Sequence, residues 1–207
     1  YAPPKGFLPL NSASVRPNKV VPRPKDYVGV TTYTGTNASV QKIKTEFEPD
    51  FVWFKCSSGA YSHGLFDTVR GATKKLASNA QDQEATDTEG VKTFFDDGVT
   101  VGNTNEFGAS PRRYVMWHWR AGGKKNTFNV DDVGYASASA AGLDSGSVTP
   151  SGASVGTKQG FSIITWSRSS STDSISHGLS QAPTFIIQKS RSADKRWQVG
   201  WEVEGWD

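Results

Sequence analysis

Phe47-Glu48-Pro49-Asp50-Phe51-Val52-Trp53-Phe54-Lys55 decides the reading of this chain, because its pattern returns downstream as Leu179-Ser180-Gln181-Ala182-Pro183-Thr184-Phe185-Ile186-Ile187-Gln188-Lys189. Pro49 and Pro183 stand 134 positions apart, and the same shift lays Phe51 on Phe185, Val52 on Ile186, Trp53 on Ile187 and Lys55 on Lys189 without a gap. Proline before a short apolar run fits the opening of a strand, where no ladder N–H is needed. Four apolar residues bounded in this way predict a strand buried on both faces. The chain is expected to be all-β, an antiparallel β-sandwich followed by a partial second copy.

Working outward, Tyr27-Val28-Gly29-Val30-Thr31-Thr32-Tyr33 reads as the strand that opens the first copy, and Phe161-Ser162-Ile163-Ile164-Thr165-Trp166 as its counterpart. Beyond the first proline strand, a helix from His63 to Leu76 is possible, but Gly64 and Gly71 would each cost it about 1 kcal/mol relative to Ala. The shift pairs Leu65 with Val199 in period-two alternation, so strands are expected in both places. The polar, aperiodic residues 77–90 predict an exposed loop. Asp96-Asp97-Gly98 between two apolar runs predicts a hairpin. In Tyr114-Val115-Met116-Trp117-His118-Trp119, alternation puts Val115, Trp117 and Trp119 on one face, expected to be the core.

These readings divide the chain into four parts. Residues 1–25 hold six of the ten prolines and predict an extended linker or the end of a preceding domain. Residues 26–132 form the first repeat. Residues 133–159, dominated by Ala, Gly and Ser, predict a connector with one weak strand. Residues 160–207 form the partial second repeat, expected to continue beyond the sequence. Half a sandwich would leave Phe185, Ile186, Ile187, Trp197, Val199 and Trp201 open, a patch that interfaces use and soluble monomers avoid.

With 35% apolar and 12% aromatic residues, 207 residues supply an ample core. The net charge of +3 comes from 23 basic and 20 acidic residues that are interspersed, a bias too weak to indicate nucleic acid or an anionic membrane as partner. Cys56 is the only cysteine, which excludes an intramolecular disulfide and predicts a buried thiol. No apolar run reaches the ~18 residues of a membrane span.

No catalytic or metal constellation is present in the sequence, and no cofactor is expected. His63, His118 and His177 lie far apart and outside any metal-binding spacing. Asp96, Asp97, Asp131 and Asp132 offer oxygens for calcium, but without the spaced ladder of a calcium loop they read more simply as turns. No Ser sits in Gly-x-Ser-x-Gly, and Gly122-Gly123-Lys124-Lys125 lacks the rest of a phosphate-binding loop. Of the seven tryptophans, Trp53, Trp117, Trp119 and Trp166 occupy expected core positions. Trp197, Trp201 and Trp206 are left as the candidate binding residues, a surface platform for a sugar or a contact between subunits.

The stretches Phe47–Lys55, Tyr61–Leu76, Asp97–Gly102 and Tyr114–Gly123 together resemble tail-fibre-like and other virion proteins of marine bacteriophages that infect cyanobacteria and abundant ocean bacteria. Tyr1–Leu10 resembles the end of the SPRY-type sandwich that often precedes such domains. The resemblance implies a lectin-like β-sandwich in partial tandem copies and a non-enzymatic structural component of the virion, tail-fibre or tail-associated, with a role in host attachment. It implies other copies of the chain and other virion proteins as partners, with a host-surface glycan as a further one. A head-decoration protein, a carbohydrate-binding module and a polysaccharide-degrading enzyme are the alternatives.

Overall fold

The computed structural model describes Val21 and residues 23–201. After one 3-10 turn at Pro24–Asp26, fifteen strands follow. They are β1 (Val28–Thr34), β2 (Gln41–Lys44), β3 (Phe51–Cys56), β4 (Gly64–Asp67), β5 (Gly71–Leu76), β6 (Ala85–Thr86), β7 (Val91–Phe95) and β8 (Gly98–Val101). Next come β9 (Arg113–Trp119), β10 (Phe128–Val130), β11 (Val133–Tyr135), β12 (Gly152–Gly156), β13 (Phe161–Thr165), β14 (Phe185–Gln188) and β15 (Gln198–Trp201).

A six-stranded antiparallel sheet in the order β1-β9-β3-β4-β5-β6 packs against a three-stranded sheet, β2-β8-β7. Val52 and Phe54 of β3, Phe66 of β4 and Met116 of β9 meet Ile43, Val91, Val99 and Val101 of the smaller sheet, and Phe107 closes the cluster. Phe54, Phe66 and Phe107 stand edge to face with centroids 5.6–6.2 Å apart, the arrangement aromatic quadrupoles favour. Burying each such ring removes it from water at a gain of about 1.5–3 kcal/mol. The fold is all-β and sandwich-like, as the alternation predicts, and Cys56 is buried at the end of β3.

The β9 strand faces the opposite way from the expectation. Tyr114, Met116 and His118 are the buried residues, whereas Val115, Trp117 and Trp119 are half-buried on the outer face. The polar tips of the inward residues are largely accommodated: the Tyr114 hydroxyl donates to Asn105 O at 3.0 Å and accepts from Ala109 N at 3.0 Å, and its ring stacks on Tyr33 at 5.0 Å. The His118 ring lies beside Phe47, and Gly29 opposite leaves it room, since a Cβ there would collide with the imidazole. On the outer face Trp117 packs on Trp53 at 6.1 Å, and Trp119 packs on Phe51 at 5.4 Å and on Phe161 at 6.2 Å. Size and hydrophobicity assign these tryptophans to the interior, but that layer is already filled by phenylalanines. For the same reason β3 is fully buried on one face and half-buried on the other.

Residues 63–76 contain two strands, β4 and β5, rather than a helix, and Val91–Phe95 and Gly98–Val101 form the expected hairpin. The 133–159 stretch is more ordered than a connector. It contributes β11 and β12 to a four-stranded sheet, β11-β10-β12-β13, in which β10 and β12 run parallel. Ala138, Leu143, Ala153 and Val155 pack there with Phe128, and the small residues permit close approach. Gly122 is one such contact, because the backbone of Val155 and the Asn129 carbonyl occupy the space a Cβ would need.

A buried polar junction joins this sheet to the first. The Asp50 carboxylate is fully buried and accepts the Ala121 N–H at 2.7 Å, the Gly123 N–H at 3.1 Å and the Thr68 hydroxyl at 3.0 Å. Ser154 on β12 accepts from Gly122 N at 2.9 Å and donates to Gly123 O at 2.8 Å.

The remaining strands, β14 and β15, form a separate antiparallel hairpin. Its register is Phe185↔Trp201, Ile186↔Gly200, Ile187↔Val199 and Gln188↔Gln198. In β3 and β4 it is Phe51↔Asp67, Val52↔Phe66, Trp53↔Leu65 and Phe54↔Gly64. The two registers coincide pair for pair at the 134-residue shift, and in both cases the strand begins two residues after the proline.

Candidate functional site

The histidines and the aspartate pairs are dispersed and locally engaged. His63 Nδ1 accepts the Trp53 indole N–H at 2.8 Å, and burial followed by the Lys55 charge holds its imidazole below the usual range. His177 Nδ1 accepts the Leu179 N–H at 3.0 Å. His118 Nε2 lies 3.2 Å from the Thr31 hydroxyl, and burial pulls its pKa down to about 4. Asp131 and Asp132 are the two-residue turn between β10 and β11, both at positive φ, as tight hairpins require. Asp131 accepts from Thr157 N at 2.8 Å, and Asp132 pairs with Arg120 at 2.5 Å. Asp96 and Asp97 form the turn before β8, where Asp97 lies 3.6 Å from Lys44. Among the described residues no three His, Cys, Asp or Glu side chains gather as a metal site would require.

An open cleft of about 530 Å³ is lined by Arg23, Asp26, Glu46, Glu48, Asp96 and Arg120, among others. Arg23 pairs with Asp26, Lys25 with Glu46, Lys124 with Glu48 and Arg120 with Asp132, so most of the charge lining the cleft is already engaged.

The β14–β15 hairpin carries the largest group of exposed apolar side chains among the described residues. Phe185, Ile186, Ile187, Val199 and Trp201 are 41–62% exposed, although every one of them is a large apolar residue in a strand. Among the described residues β14 pairs with β15 alone, and no described strand lies along its other edge. Natural sheets blunt such edges with charge, proline or a bulge, and Phe185-Ile186-Ile187-Gln188 has none of these.

The hairpin is nonetheless held firmly at its loop. Arg191 grips Glu84 with two bonds of 3.0 and 2.9 Å, and Glu84 also accepts from Arg70, whose guanidinium pairs with Asp67 at 2.5 Å. A backbone bond from Glu84 N to Arg191 O at 3.0 Å and a bond from Gln83 N to the Asp194 carboxylate at 2.8 Å add to the grip. Trp197 donates its indole N–H to Ala77 O at 2.9 Å. Burial pushes the Glu84 carboxyl up, and its hydrogen bonds and charge contacts with Arg191 and Arg70 more than offset that, leaving it below its ordinary range.

This placement separates the candidate tryptophans. Trp197 is a half-buried anchor rather than a platform, Trp201 is the most exposed of the hairpin's large apolar residues, and Trp206 lies outside the described residues. The 77–90 stretch, expected to be an exposed loop, is also the seat on which residues 189–197 dock, and it includes the short β6. Proline-rich residues 1–20 and Pro22 also lie outside the description.

The open hairpin and the sandwich that carries it fall within one family match: the model of a domain of unknown function, DUF7483, covers residues 23–203. The chain belongs to this family. No curated protein and no solved structure matches it. The DUF7483 region thus takes in the packed sandwich, the second sheet and the hairpin together.

Proposed function

We propose that this DUF7483 chain is a non-enzymatic structural component of a bacteriophage virion, tail-fibre or tail-associated, which takes part in host attachment. Its first 26–132 unit is a lectin-like sandwich, and residues 160–207 are a partial second copy of it. The observation that carries the reading is the β14–β15 hairpin, built in the register of β3–β4 but left with apolar faces and one strand edge open on a firmly docked loop. Such a surface is suited to assembly with other polypeptides. The placement in a virion rests on the likeness of Phe47–Lys55, Tyr61–Leu76, Asp97–Gly102 and Tyr114–Gly123 to tail-fibre-like and other virion proteins of marine phages.

Antibodies raised against the chain, applied to purified marine phage particles that encode it, provide the test. Gold label on the tail supports the reading, label on the capsid lattice makes the chain a head-decoration protein, and particles without the chain overturn it. A glycan array separately tests attachment through sugars.

A further inference from the structure

We infer that the open edge of β14 is an acceptor for one added strand, an extended segment of a partner polypeptide with the alternation of β9. This inference deepens the assembly reading above and rests on β14–β15 being the counterpart of β3–β4. In the first unit β3 has two neighbours: β4 on one edge and β9 on the other, paired antiparallel from Phe51↔Trp119 to Cys56↔Tyr114. In the hairpin β15 reproduces β4 pair for pair, while the edge that β9 would fill is empty among the described residues.

The side chains point to the same occupant. At the shift, Phe185 and Ile187 stand for Phe51 and Trp53, the residues that receive Trp119 and Trp117 of β9 as direct cross-strand partners. Phe185 and Ile187 remain 58% and 43% exposed. An aromatic or branched apolar residue at alternate positions of the incoming strand would cover them, and main-chain bonds would supply the rest of the affinity, as in β-strand addition generally. A charged peptide fails the first requirement and an irregular one the second. The acceptor is also preorganised, because Arg191, Asp194 and Trp197 fix the hairpin loop to residues 77–84 before any partner arrives. Little ordering remains to be done on binding. The donor is not β9 of a finished domain, whose two edges are taken by β1 and β3.

The test uses the full chain and a synthetic peptide carrying Arg113-Tyr114-Val115-Met116-Trp117-His118-Trp119, with a scrambled peptide that breaks the alternation. Saturable binding that slows amide exchange across residues 185–188 by about tenfold or more is the expected result. Ile187→Lys, at an exposed position where the fold does not depend on the isoleucine, should abolish the effect. Absence of slowing at 185–188, or equal slowing with the scrambled peptide, overturns the inference. So does a chain that alone sediments as a dimer with 185–188 already protected, since the edge would then belong to a second copy. None of these results depends on where the chain sits in a particle.

Discussion

The carboxylate of Asp50 accepts the backbone N–H of Ala121 at 2.7 Å, across 71 positions of sequence, and so ties the start of β3 to the segment that leaves β9. Replacing it with alanine would leave the Ala121 and Gly123 N–H groups buried without an acceptor. At about 1–3 kcal/mol for each such group, Asp50→Ala should cost about 3 kcal/mol or more in a denaturant melt. Asp50→Asn retains an acceptor and should cost much less. Burial raises the Asp50 pKa above 3.8 despite its hydrogen bonds, so its contribution to stability is complete below that pH and declines as pH rises through the higher folded value. The asparagine variant should lack that decline.

His118 titrates in the opposite sense. Burial takes its pKa from 6.5 to about 4, so the stability it contributes is complete above pH 6.5 and is lost as pH falls toward 4. The loss should be on the order of 2–3 kcal/mol. Melts of the wild type and His118→Phe between pH 7 and 4 measure it, and the variant should be the flatter of the two.

On β9, Met116→Ala should cost about 2–5 kcal/mol, as cavity-forming changes do in a closed core. Val115→Ala, on the half-buried outer face, should cost less than about 1 kcal/mol. The reverse order in thermal melts would contradict the facing of the strand.

Arg191→Ala should release the hairpin loop from Glu84. The global cost is about 1 kcal/mol for a partly exposed pair, but amide exchange across residues 185–201 should quicken more than elsewhere. Because the Glu84 pKa lies below 4.5, the stabilisation is present above that pH and is lost as pH falls through the lower folded value. The wild-type hairpin should therefore loosen in acid and come to resemble the variant.

What could be read from the sequence was local. Pro49 and Pro183 mark the starts of β3 and β14, Asp96-Asp97-Gly98 marks its hairpin, and the period-two pattern around Leu65 favours strands over a helix. The exposure of Phe185, Ile187, Val199 and Trp201 agrees with the open patch expected from the pattern. What could not be read depends on partners distant in sequence. Alternation in β9 defines two faces but not which one meets the core, and the choice is made by Phe54, Phe66 and Phe107 filling the space between the sheets. The Asp50 junction and the Arg191–Glu84 grip join residues whose spacing has no periodic signature. Small residues in 133–159 look like a linker until their close packing against Phe128 and Leu143 is seen.

The Arg191–Glu84 contact spans 107 positions, and that separation orders the events of folding. Contacts so remote must overcome the entropy of closing a long loop, whereas pairings such as β7 with β8 close almost at once. During synthesis every strand from β1 to β9 has left the ribosome before Arg191 is made. The hairpin is therefore placed to dock late, onto residues 77–84 that the earlier strands have already positioned.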